Sequence, residues 1–120
     1  MGFARTYSVA LLGLNGHVVE VEADVGGTLP SFVLLGLPDA TLKESRERIR
    51  SAAKNSGAPL TPRKATVSLT PATLPKTGSG FDLAILIAAL QASGRCGASG
   101  DCVFLSELGL DGSLRPVSGV

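Results

Sequence analysis

The sequence predicts a two-layer α+β domain, two helices laid against one mixed β-sheet. Three observations carry that prediction. Period-2 alternation recurs in the early chain, two later segments have helical start and stop signals, and Gly- and Pro-rich breaks separate them. The resulting order is β-β-β-α-β-α-β-β, a β(3)-α-β-α unit plus a C-terminal β-hairpin, without an internal repeat.

The elements follow in order. Thr6 to Leu14 and His17 to Val25 are β-rich runs on either side of Asn15-Gly16. Asn-Gly favours the positive φ of a two-residue hairpin turn. A turn there sets Leu12 opposite Val19, Ala10 opposite Val21 and Ser8 opposite Ala23. On the other face, Leu11, Val9 and Tyr7 oppose Glu20, Glu22 and Asp24. The first run is apolar on both faces and the second alternates. The first is therefore expected to be more buried and the second nearer an edge. Ser31 to Leu35, bounded by Pro30 and Gly36, reads as a short buried strand. Pro38-Asp39 opens the first helix with Asp39 as N-cap, and Gly57 and Pro59 close it near Ser56. Its apolar stripe is Leu42, Ser45, Ile49, Ala52, Ala53 and Ser56, with Glu44–Arg48 and Lys43–Glu47 as i,i+4 pairs. Pro62 and Pro71 bracket the alternating strand Lys64 to Leu69. Phe81 to Ser93 is the second helix, apolar almost all round and so expected to be buried. Cys102 to Leu108 and Ser113 to Val117 form a last hairpin around Asp111-Gly112.

Composition bounds the function. The 120 residues suit a single domain, 1–120. A chain with 44% apolar and 18% charged residues is not disordered. With no Trp, one Tyr and four Phe, the core must be aliphatic. Eleven basic side chains against ten acidic ones, net +1, exclude a globally basic nucleic-acid binder but not a local patch. Cys96 and Cys102 are too few for a disulfide framework or a four-thiolate site and read as reduced thiols. The N-terminus lacks a signal-peptide pattern. The longest apolar run, Leu83 to Leu90, is far short of the roughly 20 residues that span a bilayer. A soluble cytoplasmic domain without membrane contact is expected. Because the chain stops at Val120 soon after its last strand begins, it is also expected to be the front part of a longer protein.

Several chemistries are set against structural explanations. Lys76-Thr77-Gly78-Ser79-Gly80 before a helix invites a phosphate site. A Walker A lysine follows its glycines, however, whereas Lys76 precedes them, so a tight turn is favoured. Ser79 with Lys76 would make a Ser–Lys dyad only in a geometry that loop neighbours seldom adopt. His17 is the single histidine and would need Glu20 and Glu22 to hold a metal; a solvated strand face with Asp24 is favoured. Asp82, at the start of the second helix, is suited to its free N–H groups. Lys43, Arg46, Arg50 and Lys54, with only Glu47 among them, share a narrow arc of the first helix, on the face away from the Leu42/Ile49 stripe. Such a basic ridge suits phosphates, and a salt-bridged solvent face is its plain alternative. No catalytic constellation emerges, which favours an interaction or accessory module.

The string Gly36-Leu37-Pro38-Asp39-Ala40-Thr41-Leu42-Lys43-Glu44-Ser45-Arg46-Glu47-Arg48-Ile49-Arg50 resembles the ComM/YifB family of bacterial magnesium-chelatase-like AAA+ ATPases. Lys54-Asn55-Ser56-Gly57, Leu74 to Leu83 and Gly109 to Val117 continue the likeness in order. The resemblance implies an N-terminal domain with the fold of the Lon protease C-terminal domain, also seen in RadA and in a small-subunit ribosomal protein. That fold carries a left-handed crossover, against the usual rule. Lon's nucleophile lies in a P-K-D-G-P-S-A-G loop, whose serine aligns with Gly80, one residue after Ser79. Lon's lysine would fall beyond Val120. The resemblance therefore implies a non-proteolytic domain. Two positions depart from the family pattern: Gly80, commonly Arg, and Thr73, commonly Asp.

The combined expectation is a non-catalytic accessory domain of an ATPase that processes DNA in branch migration or as a helicase-type motor. ATP and Mg would belong to an AAA+ module outside this chain, with no cofactor or metal held here. The expected partners are that module, neighbouring subunits of a hexameric ring, and DNA through Lys43, Arg46, Arg50, Lys54 and Lys76. The alternatives are a purely structural oligomerisation module, its ridge against an acidic face of a neighbour, and a residual Lon-type serine hydrolase using Ser79.

Overall fold

The computed structural model describes residues 2–12, 15–27, 31–57, 64–70, 80–94, 104, 107–111 and 114–115. The elements are β1 (Gly2–Leu12), β2 (Asn15–Gly26), β3 (Ser31–Leu35), α1 (Asp39–Asn55), β4 (Lys64–Thr70), α2 (Asp82–Ala92), β5 (Glu107–Leu108) and β6 (Leu114–Arg115). Their order is the one the alternation and the breaks predict. The class is mixed α+β, but the strands divide between two sheets. β1-β2-β4-β3 form a mixed four-stranded sheet, antiparallel except for the parallel β3–β4 pair, and β5 and β6 pair separately.

Alternation on β2 sends Val19, Val21, Ala23 and Val25 into the core and Glu20, Glu22 and Asp24 to the opposite face. Ala65, Val67 and Leu69 of β4, Phe32 and Leu34 of β3 and Ala10 of β1 share the inner face. α2 packs across β1, β2 and β4, and α1 lies beside α2 near β3. α2 is buried nearly all round, and its alanines Ala84, Ala88 and Ala89 allow close approach to the strands. α1 buries only Ser45, Ile49, Ala52 and Ala53; Leu42 is half-buried and Ser56 is exposed.

Three local expectations are corrected. The hairpin ladder closes on Leu12 opposite Asn15, so Asn15 and Gly16 begin β2 and are not the turn. Ser8 faces Val19, Thr6 faces Val21, Ala4 faces Ala23 and Tyr7 faces Glu20. The four-residue offset keeps every side chain on its expected face, because side-chain direction repeats every two residues. The longer ladder runs back to Gly2 opposite Val25. Second, β2 is interior and β1 borders the four-stranded sheet. β4 takes the second flank of β2, since Val21, Ala23 and Val25 continue the apolar row of Leu69, Val67 and Ala65. Third, Pro38 is the N-cap of α1, in extended conformation (φ −58°, ψ 149°), and its carbonyl oxygen accepts from Leu42 N at 2.8 Å. Asp39 lies in the first turn, where its charge still suits the helix dipole.

Gly36 makes the β3-to-α1 corner. Its φ of +93° favours glycine, and a Cβ there would collide with the Leu69 carbonyl oxygen. The chain can turn this tightly beside β4 only without a side chain at that position. This corner sets where α1 starts and therefore where its outer face points.

Candidate nucleic-acid interface

The ridge on α1 is exposed as its helical spacing predicts. Lys43, Arg50 and Lys54 are exposed and Arg46 is half-buried. The side opposite them carries Ser45, Ile49 and Ala52 into the core. The Arg50 guanidinium carbon stands 6.0 Å from the centroid of the buried Phe32 ring, which holds the middle of the ridge over β3. The spacing of Arg46, Arg50 and Lys54 puts successive cations about 6 Å apart along the helix axis. A row of that kind can follow an anionic backbone and has no chemistry of its own beyond binding.

Lys76 and Ser79 lie outside the described residues, as do Thr73, Cys96 and Cys102. Gly80 is described and half-buried, directly before α2. His17 is exposed at the start of β2, opposite Ala10. Glu20 and Glu22, the carboxylates a metal at His17 would need, are held by Arg5. Its Nε meets Glu20 Oε1 at 2.6 Å and its Nη2 donates to Glu22 Oε2 at 2.9 Å. The Glu22 hydrogen bond, and then the charge of Glu20, raise the Arg5 pKa above its ordinary value. Among the described residues no group of three or more His, Cys, Asp or Glu is arranged to hold a metal ion. No helix among them is long and apolar enough to cross a membrane.

Sequence reasoning missed the strongest polar contact of the core. The i,i+4 spacing pairs Arg48 with Glu44, and that pair is 4.0 Å apart. The short contact is to Asp82: Arg48 Nε donates to Asp82 Oδ2 at 2.6 Å, and Arg48 Nη2 donates to Ser45 Oγ at 3.1 Å. Asp82 is fully buried and Ser45 nearly so. The pair ties the middle of the ridge-bearing helix to the first turn of α2. Arg48 and Asp82 stand 34 positions apart, so no local spacing could have joined them.

The comparisons with known proteins extend along the same chain. The family model for subunit ChlI of Mg-chelatase matches residues 21–120. The competence protein ComM of Haemophilus influenzae is 42% identical over 122 residues, covering all of this chain. A protein of Mycobacterium tuberculosis described as uncharacterized is 46% identical over 122 residues, and YifB of Salmonella typhimurium is 40% identical over 121. The chain spans about a quarter of these curated relatives, 24% of each. With the family model covering the chain from the middle of β2 onward and identity of this order running from end to end, the chain belongs to the Mg-chelatase-like ComM/YifB family.

Proposed function

We propose that this chain is the Lon-like N-terminal accessory domain of a Mg-chelatase-like ATPase and that it helps hold DNA while the motor module works. The observation that carries the proposal is the exposed row Lys43, Arg50 and Lys54, with Arg46 beside it, on the side of α1 turned away from the core. Identity to a protein named for competence supports a role with DNA. The binding is electrostatic: side chains neutralise phosphates and release counterions, without reading bases. Lys76 is a second-rank contact of the same kind.

ATP and Mg are assigned to the module expected outside this chain. The Asp82 carboxylate, the acidic group nearest in sequence to the Lys76–Gly80 stretch, does not fit a magnesium ligand. It is fully buried and occupied by Arg48. The chain contributes binding and positioning, and hydrolysis is left to the rest of the protein.

The test is fluorescence anisotropy of the chain with single-stranded, duplex and forked DNA across a salt series. Salt-sensitive binding is expected. Arg46→Glu with Arg50→Glu should weaken it and reduce the salt slope by about 2, near one unit per lost phosphate contact. Unchanged affinity in that variant would overturn the assignment.

A further inference from the structure

The two faces of the domain differ. Helices cover the inner face of the four-stranded sheet, and among the described residues no helix or strand lies over the outer one. That outer face exposes Phe3 (59%), Val18 (62%) and Leu35 (49%). Between them runs a carboxylate column along β2, formed by Glu20, Glu22 and Asp24, flanked by Thr66, Ser68 and Thr70 of β4. Arg5 meets two of the three carboxylates, Asp24 is exposed, and Lys64 stands past the column at the start of β4. The face is net acidic and repels a nucleic acid. It suits a protein surface that is basic and elongated.

Such a surface exists on the opposite side of the same molecule. Alternate residues of a strand are about 6.8 Å apart, and residues four apart on a helix about 6 Å. The carboxylates of β2, two of them shared with Arg5, and the cations Arg46, Arg50 and Lys54 of α1 therefore run at nearly the same period. A helix laid along an open sheet would also cover part of the exposed Phe3, Val18 and Leu35.

We infer that the outer sheet face is a docking surface for α1 of a second copy of this chain, an interface of two different patches. A contact of this kind leaves the pair with one free ridge, on one copy, and one free face, on the other, so association continues or closes on itself. It occupies the ridge that the proposed function gives to DNA, so DNA and a second copy compete for it. This inference uses the ridge but does not depend on DNA binding. Self-association is read without DNA, and the anisotropy experiment is read at concentrations where the chain is a monomer.

The experiment is sedimentation velocity of the chain at rising concentration, in low and in high salt. The weight-average mass is expected to rise with concentration in low salt and to return to the monomer in high salt. A ridge variant, Arg46→Glu with Arg50→Glu, and a face variant, Glu20→Lys with Asp24→Lys, should each weaken association about tenfold or more. Mixed in equal amounts, the two variants should associate again, because each then offers the other a patch of opposite sign. Circular dichroism checks that both are folded, and Asp24→Lys alone replaces the face variant if it is not. A monomer at every concentration in low salt, association indifferent to both variants, or a mixture that stays monomeric would each overturn the inference.

Discussion

Two hydroxyls on β1, one pair of residues apart, show how position decides the worth of a polar group. Thr6 Oγ1 donates to the Ala84 carbonyl oxygen of α2 at 2.8 Å. Ser8 Oγ is equally buried and, among the described residues, has no hydrogen-bond partner. Thr6→Val should lower stability by about 1 kcal/mol, whereas Ser8→Ala should be neutral or stabilising by up to about 1 kcal/mol. Urea unfolding of the two variants measures this, and the reverse ranking would contradict the hydrogen-bond assignment. Arg48 is the larger case. Arg48→Met leaves the Asp82 carboxylate buried without its guanidinium and should cost about 3 kcal/mol. Arg48→Met combined with Asp82→Leu should recover part of that loss, because removing both charges removes the desolvation cost. A double variant no more stable than the single one would count against the pair as the cause.

The helices and the small hairpin differ in how they are attached. α2 is held by packing nearly all round, with only the Leu83, Ile87 and Gln91 stripe half-buried. α1 is held by one stripe, by Arg48 and by the Phe32–Arg50 contact, which leaves its outer half free for a ligand. The β5–β6 hairpin is tied to the end of α1 by Asn55, whose Nδ2 donates to the Leu110 carbonyl oxygen at 2.7 Å. Asn55→Ala should cost only about 0.5–1 kcal/mol in global stability. It should also speed amide hydrogen exchange at Leu108 and Leu114 while the β2 and β4 amides keep their protection. Uniform acceleration across the sheet would show that this bond supports the whole domain rather than the hairpin.

Charge on the whole molecule is nearly balanced, at net +1, yet it is sorted by face. Cations outnumber carboxylates on the outer side of α1, where Glu44 and Glu47 are also exposed, and carboxylates outnumber Arg5 and Lys64 on the outer side of the sheet. A chain with little net charge has little long-range pull on DNA, so its affinity should fall with salt only as far as its few local phosphate contacts require. The same sorting makes one copy complementary to another. Both expectations turn on the same arginines, and the face variant separates them. It should lose self-association and keep full affinity for DNA.

Local chemistry was enough to determine the order of the elements, the α+β class, the buried second helix and the exposed ridge. Alternation, helical spacing and Gly or Pro breaks act over a few residues, and each side chain's direction follows from them. Family membership was legible for a similar reason, since long strings such as Gly36 to Arg50 are specific in themselves. The tertiary structure alone decided which strand became interior, because strand position depends on the apolar row that β4 offers to β2. It also decided the hairpin register: a four-residue shift leaves the pattern of faces unchanged, so alternation cannot choose between the two. The Arg48–Asp82 contact and the opposition of the acidic and basic faces joined residues far apart in the chain. Only the packing of α1 beside α2 and on one side of the sheet brought them into relation.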